Sequence, residues 1–518
     1  MKNLLNQKKL EKRSGIKFVP LRYLVAFIVT IIKVLLIIGA VVFLLLKLKY
    51  SYIALLTIEL FCVLRIIGND SNPDYKVPWL VLVLVLPVIG FMLYFIFSST
   101  KLKRKYVKKY KDIESVDYLY DDETELLELK ENNLVAFNQA VMLKKISNAN
   151  VFKGTEITYL SSGEEYKKCL LNDLKNAQNF IFLEYFIIKR GEFWKDVLEI
   201  LTLKVREGLD VRVVYDDIGC MLSLPSKYSK KLKSLGINAT PFSRLKGQAN
   251  SEFNNRSHRK IAVIDGKIAY TGGVNIGDEY INLNHKLGHW KDCGIRLYGN
   301  AVYDMTKTFL IDYAINVKNF IPPDKELYPK TLSTGQEYVI PFTDGPKPLY
   351  NYEVGKSVIQ TMFYSAKKYA YVTTPYLIID NDMCRAIEDT ALRGVDVRII
   401  VPHVPDKKLV FYLTKSYYDR LIRAGVKIYE YEKGFIHAKT YLIDDEYAMI
   451  GTINLDYRSL VHHFENGVWL YNTNSNASLK KDLLNTLENS ILITEKTKKQ
   501  NVFQKIICSL IKVFSPML

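Results

Sequence analysis

An α/β protein of two duplicated domains, each a mixed sheet flanked by helices, set behind N-terminal transmembrane helices: this is the fold class the sequence predicts. Three observations carry the prediction. Three apolar stretches, about 23–46, 50–67 and 77–98, are each close to the length that crosses a hydrocarbon core. From about residue 150, buried-strand patterns alternate with amphipathic helix patterns, as α/β domains require. The later part of that alternation repeats the earlier part at a spacing near 180 residues, too long for a solenoid and right for duplicated domains. A chain of 518 residues also exceeds one ordinary domain.

Residues 1–22 form a basic tail with Lys2, Lys8, Lys9, Lys12, Arg13, Lys17 and Arg22. The first apolar stretch carries Lys33 near its middle, which is costly in lipid. No small-residue cleavage site ends it, so a removable signal peptide is not expected. The third stretch is followed by Lys101, Lys103, Arg104, Lys105, Lys108, Lys109 and Lys111, a strong cytoplasmic anchor. The connection Gly68–Lys76 carries Asp70 and Asp74 and reads as external. Stretches two and three are therefore expected to form a hairpin with the catalytic bulk inside the cell. Three full crossings would put the basic tail outside, against the same charge rule, so stretch one stays open as a span, a re-entrant piece or an interfacial element.

Residues 100–150 are charged and helical in pattern and are expected to be a solvated connector. The first domain is expected over 151–335 and the second over 336–496. Phe180–Ile188 reads as a buried strand, and Leu209-Asp210-Val211-Arg212-Val213-Val214 as another. Val395-Asp396-Val397-Arg398-Ile399-Ile400 matches the latter almost residue for residue. The loop Pro241–Arg256 makes the first copy longer than the second. Residues 497–518 place Phe503, Ile506, Ile507, Leu510 and Phe514 on one helical face, opposite Gln504, Lys505, Ser509 and Lys512. Such a helix suits an anionic membrane surface or a face of its own domain.

A net charge of +18 calls for an anionic partner, lipid headgroups or nucleic acid. The six cysteines are scattered with no C-x-x-C, which argues against a disulfide framework and a zinc site and fits a reducing compartment.

The chemistry sits in two matching stretches. His258-Arg259-Lys260 sets an imidazole and an ammonium on one face of a strand, an apolar run then ends at Asp265, and Gly272-Gly273-Val274-Asn275 follows. His437-Ala438-Lys439 repeats it with Asp444 and Gly451-Thr452-Ile453-Asn454. Phosphodiester exchange needs a nucleophile, a proton donor for the departing alkoxide and positive charge for the phosphoryl oxygens. Two histidines and two lysines supply all three with no metal and no cofactor, and the residues alone do not rank one histidine over the other.

The two H-x-K-x4-D motifs, each followed by G-[GT]-x-N, resemble the phospholipase D superfamily. Asn72-Pro73-Asp74-Tyr75-Lys76-Val77-Pro78-Trp79, the Gly-Gly-Val-Asn-Ile-Gly-Asp-Glu-Tyr run ending at Tyr280, and Gly451–Ser459 resemble bacterial cardiolipin synthases from about residue 60 onward. The resemblance implies two phospholipase D-like domains whose motifs face one cleft. It implies attack by His258, forming a phosphohistidine, and acid/base work by His437. Lys260 and Lys439 would clamp phosphoryl oxygens, with Asn275 and Asn454 as neutral donors. Asp292 and Glu465 would each hold the histidine of the opposite half. Asp265 and Asp444, part of the catalytic motifs, are expected to lock the motif loop and its lysine more than to take protons. The implied reaction is phosphatidyl transfer between two phosphatidylglycerol molecules, giving cardiolipin and glycerol at the cell membrane. Anionic phospholipid and the bilayer are the expected partners, and nucleic acid is not. The alternative is a membrane-tethered phospholipase D-type hydrolase or nuclease that uses water as acceptor. Glu184 and Asp216 end strands, where they border the cleft or serve as ordinary loop acids. His462 and His463 are a poor metal pair. His463 stands where many relatives carry asparagine.

Overall fold

The computed structural model describes residues 50–98, 104–114, 123–244, 254–317, 335–494 and 502–517, with scattered positions between 24 and 47 and at 102 and 327. The basic tail 1–22 lies outside them, as does much of the first apolar stretch. Helices α1 (Ser51–Ile67), α2 (Pro73–Val85) and α3 (Pro87–Phe97) come next. The stretch 77–98, expected as one span, is thus two helices. Leu86 leaves the helical region with φ −131° and ψ 70°, and Pro87, lacking an N–H, starts a new helix. Among the described residues no helix is long and apolar enough to cross a membrane.

Helices α4 (Arg104–Glu114), α5 (Glu123–Asn132) and α6 (Leu134–Ser147) follow. The expectation of a solvated connector here is corrected. Leu126, Leu129, Ala136, Ala140 and Leu143 recur at helical spacing and are buried in the core of the second half. Trp469 Nε1 donates to Gln139 Oε1 at 2.9 Å from within that core. The many Glu and Lys residues on the outer faces hide the stripe in the composition.

The first half comprises β1 (Thr155–Leu160), α7 (Gly163–Lys175), β2 (Phe180–Tyr185), α8 (Glu192–Arg206), β3 (Asp210–Asp216), β4 (Asn238–Phe242), β5 (Lys260–Ile264), β6 (Ile268–Gly272), β7 (His289–Lys291), β8 (Gly294–Gly299) and α9 (Val302–Asn316). The second half comprises β9 (Tyr338–Asp344), α10 (Val354–Ser365), β10 (Tyr369–Thr373), β11 (Leu377–Ile378), α11 (Asn381–Leu392), β12 (Asp396–Pro402), β13 (Lys427–Tyr431), β14 (Gly434–Ile436), β15 (Thr440–Ile443), β16 (Tyr447–Gly451), β17 (Leu455–Asp456), β18 (Glu465–Tyr471), α12 (Ser475–Glu488) and β19 (Ser490–Leu492). Last comes α13 (Val502–Val513).

The large sheets run β1-β8-β6-β5-β2-β3-β4 and β9-β18-β16-β15-β10-β12-β13-β19, the same order with one added edge strand. Both are mixed: β2 pairs parallel to β3 and antiparallel to β5, as β10 does with β12 and β15. α7 and α8 cover the outer face of the first sheet, and α10 and α11 that of the second. The inner faces share one core: Phe182, Ile261, Val263 and Leu297 of the first sheet join Leu442, Ile450, Val468 and Leu470 of the second, with Phe309 and Leu310 of α9 between them.

Candidate active site

The duplicated strand order sets His258 just ahead of β5 and His437 just ahead of β15, and each meets the other half through backbone. His258 N–H donates to Phe464 O at 2.8 Å and Phe464 N–H to Arg256 O at 2.9 Å. On the other side β14 pairs parallel with β7, and His437 N–H donates to Lys291 O at 2.7 Å. The residue after each partner is an acid. Glu465 follows Phe464 and Asp292 follows Lys291, so each carboxylate reaches the histidine of the opposite half. His258 Nδ1 lies 2.9 Å from Glu465 Oε1, and His437 Nδ1 lies 2.7 Å from Asp292 Oδ2.

Both rings are buried against aromatic walls. Phe186 and His463 lie 5.1 and 5.5 Å from the His258 ring centroid; Trp290 and Tyr280 lie 5.5 and 5.6 Å from that of His437. Burial, with the neighbouring lysines, outweighs the attraction of the carboxylates and pulls His258 down to about 3 and His437 to about 4. Burial alone would raise Glu465 and Asp292, but the facing histidines overcome it and hold both below the carboxylate range. Each pair is therefore a neutral imidazole donating Nδ1–H to a carboxylate anion, which leaves a lone pair on Nε2.

Lys260 and Lys439 are fully buried. Lys260 Nζ donates to His258 O at 2.6 Å, and Lys439 Nζ makes the equivalent bond to His437 O. Burial brings Lys260 down to about 7 and Lys439 to about 8, and for Lys260 the nearness of Lys439 adds to it.

Thr452 and Ser459 both donate to Glu465, Ser459 at 2.7 Å. Asp292 instead accepts Cys293 N–H at 2.9 Å and sits where a side chain on Gly273 would stand: a Cβ there would overlap Asp292 Oδ1. This explains why one motif reads Gly-Gly and the other Gly-Thr. The shorter acid fills the space, and the longer one leaves room for a hydroxyl.

Other expected residues sit elsewhere. Asp265 and Asp444 are not in the cleft. Asp265 accepts the N–H groups of Gln178, Asn179 and Phe180 at 2.7–2.9 Å. Asp444 accepts those of Lys367, Lys368 and Tyr369 at 2.6–2.8 Å. Each adopts a left-handed φ of 54° and caps the turn into the central strand of its sheet, so it does not hold the motif lysine. Asn275 is already engaged, accepting Ile187 N–H at 3.0 Å and donating to Tyr280 at 2.8 Å. Asn454 Oδ1 is buried without a hydrogen-bond partner.

Sequence reasoning did not single out Ser459, Arg256, Ser257, Arg259 or Asp312, nor give Thr452 a role; Glu184 and Asp216, named as strand-ending acids, hold the stretch that carries His258. Ser257 Oγ donates to Glu184 at 2.5 Å, Arg256 forks onto Asp216 at 3.0–3.1 Å, and buried Arg259 pairs with Asp312 while donating to Glu465 O and Asp344 O of the second half. The Arg-Ser-His-Arg-Lys run was the available signal. Among the described residues, His258, His463 and Glu465 also place ligand atoms within 4.8 Å of one another. Glu465 is already committed to His258, Thr452 and Ser459, so a metal there would have to displace those bonds. His463 Nδ1 stands 3.7 Å from Glu465 Oε1.

Duplicated mixed sheets sharing one core, with a carboxylate-held histidine and a buried lysine from each half, define a two-motif phospholipase D-type scaffold for phosphodiester chemistry. The family described as "Cardiolipin synthase, PLD-like domain" matches residues 170–292 and 359–487, and one described as "Phospholipase_D-nuclease N-terminal" matches 59–98. The chain is similar to a cardiolipin synthase of Geobacillus kaustophilus, with 34% identity over 89% of this chain and 92% of that protein. It is also similar to an uncharacterized protein of Streptococcus mutans, with 38% identity over 88% of this chain and 99% of that one. The crystal structure of phosphatidylserine synthase from Haemophilus influenzae shares the fold, with a TM-score of 0.56 and 18% identity over 74% of this chain and 98% of that chain. The chain belongs to the cardiolipin synthase family of phosphatidyltransferases.

Proposed function

We propose that the protein makes cardiolipin and glycerol from two molecules of phosphatidylglycerol, with His258 as nucleophile and His437 as acid and base. The observation that carries this reading is the pair of imidazoles, each held through Nδ1 by a buried carboxylate of the opposite half, flanked by two buried lysines. Neutral His258 attacks phosphorus through Nε2. A P–N bond forms, the P–O bond to the terminal glycerol breaks, and His437 gives its proton to the departing oxygen. A hydroxyl of the second phosphatidylglycerol then gives its proton to His437 and attacks phosphorus, the P–N bond breaks, and His258 is restored. Burial and the neighbouring lysines keep His437 neutral in the empty site. The diester's negative charge, entering beside Lys260 and Lys439, offsets both, so His437 takes up a solvent proton on Nε2 as the diester binds and has it to give to the departing oxygen. Membrane association, with the catalytic halves on the cytoplasmic face, supplies the lipid acceptor, and the net charge of +18 suits an anionic bilayer.

Membranes carrying the protein, given phosphatidylglycerol labelled in its terminal glycerol, are expected to release one labelled glycerol per cardiolipin formed. His258→Ala is expected to lose about ten-thousandfold. Phosphatidic acid as the sole lipid product would replace this reading with a hydrolase. With a phosphatidyl donor whose leaving group needs no proton, His437→Ala is expected to keep forming the phosphohistidine while His258→Ala does not; the reverse result would exchange the two roles.

A further inference from the structure

We propose that α2 and α3 form a re-entrant hairpin that enters and leaves the bilayer on the face of the catalytic halves and dips into one leaflet without crossing. The inference rests on the membrane reading above and goes beyond it by fixing which side each end occupies.

Both ends of the hairpin are tied to the catalytic body. At the entry, Asn72 caps α2 and donates to Asp380 at 2.7 Å, and Asp74 accepts Asn381 N–H at 2.8 Å and the Tyr457 hydroxyl at 3.0 Å. The Tyr75 ring packs edge-on against His462, centroid to centroid 5.2 Å. At the exit, Leu102 N–H donates to Lys347 O at 3.1 Å, and on α4 Lys109 Nζ donates to Val317 O at 2.6 Å.

Between these ties the chain doubles back at Leu86–Pro87. Trp79 and Tyr94, at nearly equal distances on either side of the turn, meet with ring centroids 5.6 Å apart, so the helices run antiparallel. Gly90 permits the contact: a Cβ there would overlap the Leu82 carbonyl and come within 2.7 Å of Val83 Cα. With 13 and 11 residues, the helices rise about 20 and 16 Å, short of a hydrocarbon core of about 30 Å. No charged residue lies between Val77 and Phe97, and Leu84, Val85 and Leu86 at the tip are exposed. A charge-free, exposed apolar tip whose flanks carry Lys76, Arg104 and Lys108 matches the acyl region and headgroup zone of an anionic bilayer.

Two consequences follow. The connection Gly68–Lys76 lies on the catalytic side, which corrects its reading as external. With the hairpin adding no crossing, the basic tail 1–22 and the basic residues after α3 share one side whenever the stretches ahead of α2 cross twice or not at all. The charge conflict in the sequence then disappears. The root also sits on Arg458–His462, the turn that leads into His463 and Glu465, so the hairpin holds the active site close to the headgroup plane.

The test is side-specific labelling of the full-length protein in sealed membrane vesicles of both orientations, with the unsubstituted chain as background. With a membrane-impermeant maleimide, Asp70→Cys and Lys108→Cys are expected to react in the same vesicle orientation. Leu86→Cys is expected to react in neither, and a fluorophore attached there after solubilisation and reconstitution is expected to be quenched by nitroxides on the acyl chains. Reaction of Asp70→Cys and Lys108→Cys in opposite orientations would overturn the re-entrant path while leaving the enzyme reading intact. Recovery of the chain in the wash, free of vesicles, would overturn the membrane reading and the inference together.

Discussion

At Glu465 four side chains converge on one buried carboxylate: His258, Thr452 and Ser459 donate to it, and His463 stands just beyond bonding distance. Thr452→Val keeps the shape and removes one donor from a buried anion, so kcat is expected to fall about tenfold, or about 1.4 kcal/mol, with KM little changed. Steady-state kinetics on phosphatidylglycerol vesicles check this. The lysines set a pH response with opposite signs for activity and stability. Lys260 near 7 and Lys439 near 8 lose their charge as pH rises, so kcat/KM is expected to decline above about pH 7. Over the same range the unfolded chain, with lysines near 10.4, binds more protons than the folded one, so folding stability is expected to rise between about pH 7 and 10. A pH series measuring both rate and thermal midpoint tests the pair. A rate and a thermal midpoint that both stay level between about pH 7 and 10 would show that the lysines are charged in the folded protein throughout.

At the scale of elements, the turns and strands around the motifs hold the acids and bases in place. Gly273→Ala would drive a methyl group into Asp292, and activity is expected to fall at least a hundredfold while Gly451–Asn454 in the other half is undisturbed. Burying Arg259 beside Asp312 joins α9 to both halves; Arg259→Met is expected to destabilise by about 3–5 kcal/mol because it strands a buried anion. Adding Asp312→Leu is expected to recover most of that loss in thermal unfolding. Leu129→Ala on α5 is expected to cost about 2–5 kcal/mol, as befits a core helix. The strands and helices of the two halves were legible because their apolar periods are strong. The role of α5 and α6 was not, since a stripe of Leu and Ala among many charges looks solvated until its partner surface is known.

At the scale of the molecule, neither half is complete. The pairs His258–Glu465 and His437–Asp292 join residues 207 and 145 positions apart. Fragments 1–317 and 335–518, produced separately, are each expected to form no phosphohistidine. Produced together they are expected to recover it, because the shared core of the two sheets and the α5–α6 contact give them a large apolar surface on which to dock. Phosphate incorporation in the separate and paired fragments measures this.

The duplication, the class of chemistry and the two histidines and two lysines around which the site is built were readable before any fold was known, because a repeated H-x-K pattern and alternating strands and helices are local signals. The pairing of Asp292 and Glu465 with the histidines of the opposite halves was already implied by the family resemblance; it took the packed fold to reveal that Asp265 and Asp444 cap turns outside the cleft, that Gly273 and Thr452 differ to suit acids of different length, and that Gly68–Lys76 docks on the catalytic body. Each of these depends on contacts between segments distant in the chain, where packing and burial set geometry and charge state, and no local pattern records them.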